Sequence, residues 1–206
     1  MKNKVCGIIS LVLVVLQLVL VMASWIMTAA MPELPMRSLL SAEGIRWFFG
    51  HFAENINSQV LVSIVLLAVA IGAVMFSGVA ESLSGIVFHR KTRYMERVAL
   101  WAVAIELAIA AIVVILLTSV PHAILLSVTG HLFPSSFSQS LIPIVSVTLL
   151  ICSLSFGIVS GKLSSMGLVY ETMTYGLVCY AWLIPIYIFA IELYSSVLFV
   201  FPSLST

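Results

Sequence analysis

Residues 5–28 read VCGIISLVLVVLQLVLVMASWIMT, a run without a single charged side chain. An α-helix rises about 1.5 Å per residue and the hydrocarbon core of a bilayer is about 30 Å thick, so about 20 apolar residues make one crossing. This run is long enough. Lys2 and Lys4 precede it, as they would precede a secretory signal. A signal core is only about 7–15 residues long, whereas this run continues to Trp25 and Met27. The expectation is an uncleaved first span, with cleavage after Ala29 and Ala30 as the alternative.

Working outward, the same reading repeats. Apolar runs at about 60–80, 98–118 and 141–159 are each of crossing length, the last with Pro143 near its start. Residues 167–201 are too long for one upright span and too short for two with a turn. The expectation there is one long span over about 174–199, bent at Gly176 or Pro185. The fold class expected is therefore all-α: a single integral membrane domain over residues 1–206 with about five transmembrane helices.

Composition agrees. Of 206 residues, 62% are hydrophobic and 8% charged, where soluble domains carry about half and about a quarter. Nine Lys and Arg against eight Glu, with no Asp, give a net charge of +1 and no basic field for nucleic acid. Lys2, Lys4, Arg90, Lys91, Arg93, Arg97 and Lys162 fall on one side of a five-span threading, and Arg37 and Arg46 on the other. By the positive-inside rule the N-terminus is inside and the C-terminus outside. The block His89–Arg93 reads as a topology determinant that can also touch anionic lipid. Cys6, Cys152 and Cys179 lack zinc spacing and disulfide density and read as small buried side chains.

Two connecting segments carry more pattern. In 41–57, Ile45, Phe48, Phe49, Phe52 and Ile56 form one stripe of a helix, with Glu43, Arg46, His51, Glu54 and Asn55 largely opposite. Ser41 is placed to cap it, and Glu43 suits its positive end. The segment is too polar to cross, so an in-plane interfacial helix is expected, with Ile45, Phe48, Phe49 and Phe52 as candidate packing or partner residues. Residues 119–140 hold no charge and read as an interfacial loop or a short re-entrant dip. His122 and His131 lie there without a third ligand type, so no metal site is expected.

The stretch Ser38-Leu39-Leu40-Ser41-Ala42-Glu43-Gly44-Ile45-Arg46-Trp47, followed by Gly78-Val79-Ala80-Glu81-Ser82, resembles the AbgT family of aminobenzoyl-glutamate transporters. There the first motif reads Leu-Leu, a small residue, then Glu-Gly-Leu-Arg, and the second Gly-Val-Ala-Glu before a Ser-Gly pair. The matching residues are Glu43, Gly44, Arg46, Gly78 and Glu81; Leu83-Ser84 here separates Ser82 from Gly85. The resemblance covers about residues 37–88. It implies a protein of the inner (plasma) membrane that carries out proton-coupled transport of folate catabolites or related small organic anions, usually as a homodimer. Family members are more than twice as long and carry Ser/Asn/Thr-rich hairpin tips that have no counterpart here. The implied protein is thus a shortened relative, one half of a split system or a degenerate remnant.

An acid inside hydrocarbon costs about 2.5 kcal/mol or more, so each calls for a partner or a function. Glu106 lies inside the third span and suits a proton carrier or an acid bonded to a neighbouring helix. Glu192 lies late in the last span, as a proton or substrate site or as an acid reaching the outer surface. Glu171 is placed to pair with Lys162, and Glu81 with Arg90 or Lys91. Ser153, Gly157 and Gly161, four apart, read as a helix-packing face. No catalytic constellation is present: there is no His-Glu-x-x-His, Gly-x-Ser-x-Gly or phosphate loop. No enzyme and no cofactor is expected. The expected partners are the lipid bilayer and a second copy of the chain or a second membrane subunit. Two functions remain open: a small AbgT-like transporter or transporter subunit, and a non-transporting scaffold or regulator acting through its interfacial helix.

Overall fold

A computed structural model describes residues 2–33, 35–87, 93–119 and 136–204. Among the described residues the chain is helical throughout, without strands: α1 (Lys2–Ala30), α2 (Ala42–Ile56), α3 (Gln59–Ser77), α4 (Val79–Val87), α5 (Tyr94–Ser119), α6 (Ser136–Val159), α7 (Met166–Tyr180) and α8 (Leu183–Val200), with a final 3-10 turn at Pro202–Leu204. Five helical stretches are long and apolar enough to cross a membrane: Lys4–Ala30, Ala42–Ser77, Tyr94–Thr118, Ser140–Val159 and Leu183–Val200. Large apolar side chains such as Leu11, Leu18, Trp101, Ile105 and Ile112 point outward along them. Outward apolar rows of this extent need an apolar solvent. The chain is a multi-pass membrane protein. The block His89–Thr92 and the residues His122 and His131 lie outside the described residues.

Two compact units divide the chain, the first being Met1–Leu61 with Tyr180–Thr206 and the second Val62–Cys179. In the first unit α1 packs along α8. The intervening segment is stitched down rather than free: the Leu39 amide donates to the Ser24 hydroxyl at 3.2 Å, and the Arg37 amide to the Val200 carbonyl at 3.1 Å. Leu39, Phe199 and Val200 are buried there, with Leu20, Val21, Met36 and Trp47 packed around them. Ser41 caps α2 by accepting from the Gly44 amide at 3.0 Å. A Cβ at Gly44 would overlap the backbone of Ser38 and Leu39, so the fold-back entering α2 requires glycine.

In the second unit α5 and α6 pair through Ala99, Val103, Cys152 and Phe156, with Val79 of α4 against them. Gly78 at φ +80° breaks α3 from α4 in the left-handed region that glycine takes without a steric cost. Gly72 of α3 and Gly176 of α7 meet backbone to backbone: a Cβ on Gly176 would overlap the Ala68 carbonyl.

Three expectations change. The bent span expected at 174–199 is two helices, interrupted at Ala181 and Trp182. Pro185 has no N–H to give the Ala181 carbonyl four residues back, and that carbonyl instead accepts from the Ile184 amide at 3.2 Å. Pro185 therefore sits in the first turn of α8, and Gly176 serves the α3 crossing instead of a bend. Of the small-residue face expected at Ser153, Gly157 and Gly161, the first two are buried on α6. Gly157 receives the Leu163 side chain from its own loop, and Gly161 lies past the helix end at φ +78° with open space around it. There the turn brings the Leu163 amide back to the Gly157 carbonyl at 2.9 Å. Of the cysteines, Cys152 is buried, Cys6 half-buried and Cys179 exposed.

Candidate functional site

The first unit gathers the most unusual chemistry. Glu192 lies on α8 in an otherwise apolar stretch and is only 4% exposed. It does not reach the surface, because α2 lies over it. The Asn55 amide of α2 donates to Glu192 Oε2 at 3.4 Å, while Oε1 is buried without a hydrogen-bond partner. One turn along α8, Ser196 accepts from the Gln17 amide of α1 at 2.8 Å, which leaves Gln17 Oε1 buried and also unpartnered. Buried acceptors without donors are rare in folded proteins, so two together mark a site.

Gln17 and Glu192 share a cavity of about 160 Å³ with Leu13, Val14, Leu18, Phe48, Phe52, Ile188 and Phe189. Two members of the sequence-predicted stripe, Phe48 and Phe52, thus line the same cavity as Glu192. Ile45 and Phe49 are left 47% and 77% exposed. Gln17 was missed by sequence reasoning, although it is the lone amide side chain in the first span.

Next to this cavity is an open cleft of about 420 Å³, lined by Arg37, Trp47, Asn55, Ser195, Leu198, Phe199 and Pro202. Trp47 stacks on Phe199 with centroids 4.4 Å apart, and the Arg37 guanidinium stands 5.6 Å from the Phe199 ring. Glu43 balances Arg37 from 3.7 Å, both side chains being exposed. Asn55 belongs to the cleft and to the Glu192 contact at once. At the foot of α2, buried Tyr187 donates to the Ile56 carbonyl at 3.0 Å and pairs with the Ser58 hydroxyl, tying the α2–α3 link to α8.

The second unit holds Glu106, half-buried on α5, where it interacts with the Cys152 thiol of α6; its Oε2 is buried without a partner. Lys162 pairs with Glu81 at 3.9 Å, not with Glu171, and its Nζ stands 5.9 Å from the Phe156 ring. Gly78 makes room for that lysine, since a Cβ there would overlap Nζ. Arg46 is exposed. Among the described residues no group of three His, Cys, Asp or Glu comes together to hold a metal.

Comparison with known proteins finds no match: no family model, curated sequence or solved structure corresponds to this chain. Sequence and fold together establish an all-helical, multi-pass membrane protein whose first unit encloses a buried acid.

Proposed function

We propose that the chain is a small AbgT-like membrane transporter, or a subunit of one, that moves small organic anions of the aminobenzoyl-glutamate kind in exchange with, or together with, protons. The observation that carries this reading is the double role of Asn55. It lines a cleft whose Arg37 guanidinium and Trp47 and Phe199 rings suit an aromatic carboxylate, and it also holds a buried acid in the apolar α8. The cleft volume falls within the usual range of small-molecule sites, about 300–1,000 Å³. With the N-terminus inside, the cleft opens on the outer face. Glu192 and Glu106 are the proton carriers in this account, since acids within a span commonly serve relays. Support also comes from the resemblance motifs, whose glycines have physical work here: Gly44 permits the fold-back into α2 and Gly78 the break after α3.

Flux tests this directly. Proteoliposomes holding the purified chain should accumulate radiolabelled aminobenzoyl-glutamate when a proton gradient is imposed, and Arg37→Ala and Glu192→Gln should each abolish uptake. Uptake equal to that of empty liposomes, alone and with any candidate second subunit, refutes the reading. A scaffold role is favoured by one observation, the exposure of Ile45 and Phe49 on α2. Under that reading Ile45→Ser with Phe49→Ser abolishes co-purification of a partner while flux is absent throughout.

A further inference from the structure

We infer that Asn55 is a positioning residue through which a proton on Glu192 tightens the hold of the Arg37 cleft on a carboxylate. This rests on the reading of that cleft as an anion site and names how the site is regulated. The half-buried Asn55 carboxamide has two ends in two surroundings. Its nitrogen donates to Glu192 Oε2 at 3.4 Å. Its oxygen has no hydrogen-bond partner, yet it is not sealed in as Glu192 Oε1 is, and Asn55 forms part of the wall of the open cleft. The second N–H belongs to the nitrogen at the Glu192 end and leaves that oxygen unchanged. An anion entering the cleft therefore meets the Arg37 guanidinium and, on the Asn55 wall, an acceptor.

Donor and acceptor inventory decides what a proton changes. An ionised carboxylate only accepts, so it holds the Asn55 nitrogen toward itself. A protonated carboxyl carries one O–H donor, which the Asn55 oxygen can accept. The amide then turns about its broad terminal torsion and presents its N–H groups to the cleft. A bound carboxylate gains a charge-assisted hydrogen bond there. By linkage, the bound anion holds the proton more tightly in return, so the two load together. No other ionisable group intrudes on Glu192: α1 contributes Gln17, α2 contributes Asn55, Phe48 and Phe52, and among the described residues no Lys, Arg, His or second acid lines the shared cavity. Two groups near the cleft also titrate. Glu43 stands 3.7 Å from Arg37, and His51 stacks on Trp47 with centroids 5.9 Å apart and pairs with Glu54. Acid would raise anion affinity through either of them without Asn55, so the test removes both.

Benzoate is the probe, titrated calorimetrically into the full chain in lipid nanodiscs, with Glu43→Gln and His51→Gln as the common background. Between about pH 8 and about pH 5 its affinity should rise about tenfold to a hundredfold, the range for one charge-assisted hydrogen bond. Between those extremes binding should take up a proton, read from the dependence of the heat on the buffer. Benzenesulfonate, ionised throughout, should repeat the pattern. Asn55→Leu keeps Arg37 and Glu192 but should show only the weak affinity of high pH, with little response to acid. Glu192→Gln offers Asn55 a donor at every pH, so it should bind at high pH as tightly as the background does at low pH, without proton uptake. That comparison decides alone if Asn55→Leu fails to fold. Saturable binding that ignores pH, or whose pH response survives either variant, overturns the role of Asn55 and leaves the anion reading standing. Absence of saturable binding at both pH values overturns the two together.

Discussion

Replacing Gly176 with alanine tests the backbone crossing of α3 and α7. The new Cβ would overlap the Ala68 carbonyl oxygen and stand 2.7 Å from its carbon and 3.0 Å from the Gly72 Cα. Carbon atoms pack best at about 3.5–4.0 Å, so the two helices must separate by more than about 1 Å at that point. All three obstructing atoms are backbone, and no rotamer change relieves them. Overpacking of this kind costs about 1–3 kcal/mol, and the upper end applies where backbone must move. Alanine returns about 1 kcal/mol of helix propensity relative to glycine. The net loss is about 2 kcal/mol, or about 4–8 °C in unfolding temperature for a chain of this size. Thermal unfolding followed by tryptophan fluorescence in detergent reads it. Gly50→Ala provides the opposite sign: that glycine lies within α2 with no atom near its absent Cβ, so the variant should gain about 1 kcal/mol. A Gly176→Ala protein that unfolds at or above the wild-type temperature refutes the crossing.

Three further outcomes follow from single contacts. Ser41→Ala removes the cap on the Gly44 amide and should cost about 1 kcal/mol, seen as faster amide exchange in the first turn of α2. Tyr187→Phe leaves the Ile56 carbonyl without its hydroxyl donor; a loss of about 1–2 kcal/mol in denaturation is expected, with quicker proteolysis at Asn57 and Ser58. Glu81→Gln breaks a pair whose acid is well exposed, so stability should change by less than about 1 kcal/mol and no more at high salt than at low.

Membrane class was legible in the sequence because crossing length and apolar composition are properties of one uninterrupted segment. The cap of α2 was legible for the same reason: Ser41 and Gly44 are three residues apart. The Glu192 site was not, since Asn55 comes from 137 residues away and the Gln17–Ser196 bond spans 179. An acid near a span end reads as surface-seeking until the covering helix is known. One signal was present but unread: the lone amide at Gln17 asked for a polar partner in another helix. Pro185 was read as a bend, whereas the helix breaks at the carbonyl four residues back. The four-residue spacing of Ser153, Gly157 and Gly161 did not disclose that Gly161 lies past the helix end, where a glycine serves the turn. Glu81 found Lys162 across the second unit, a pairing that local charge spacing does not disclose.

The central claim is that the chain crosses the bilayer repeatedly; the proposed threading, from the positive-inside rule, puts positions 43 and 162 on opposite sides. In a background where Cys6, Cys152 and Cys179 are serine, intact cells carrying Glu43→Cys or Lys162→Cys can be treated with a membrane-impermeant maleimide. The account predicts label at position 43 in intact cells, and at position 162 only after the membrane is opened. Label at both positions in intact cells, or at 162 alone, contradicts it.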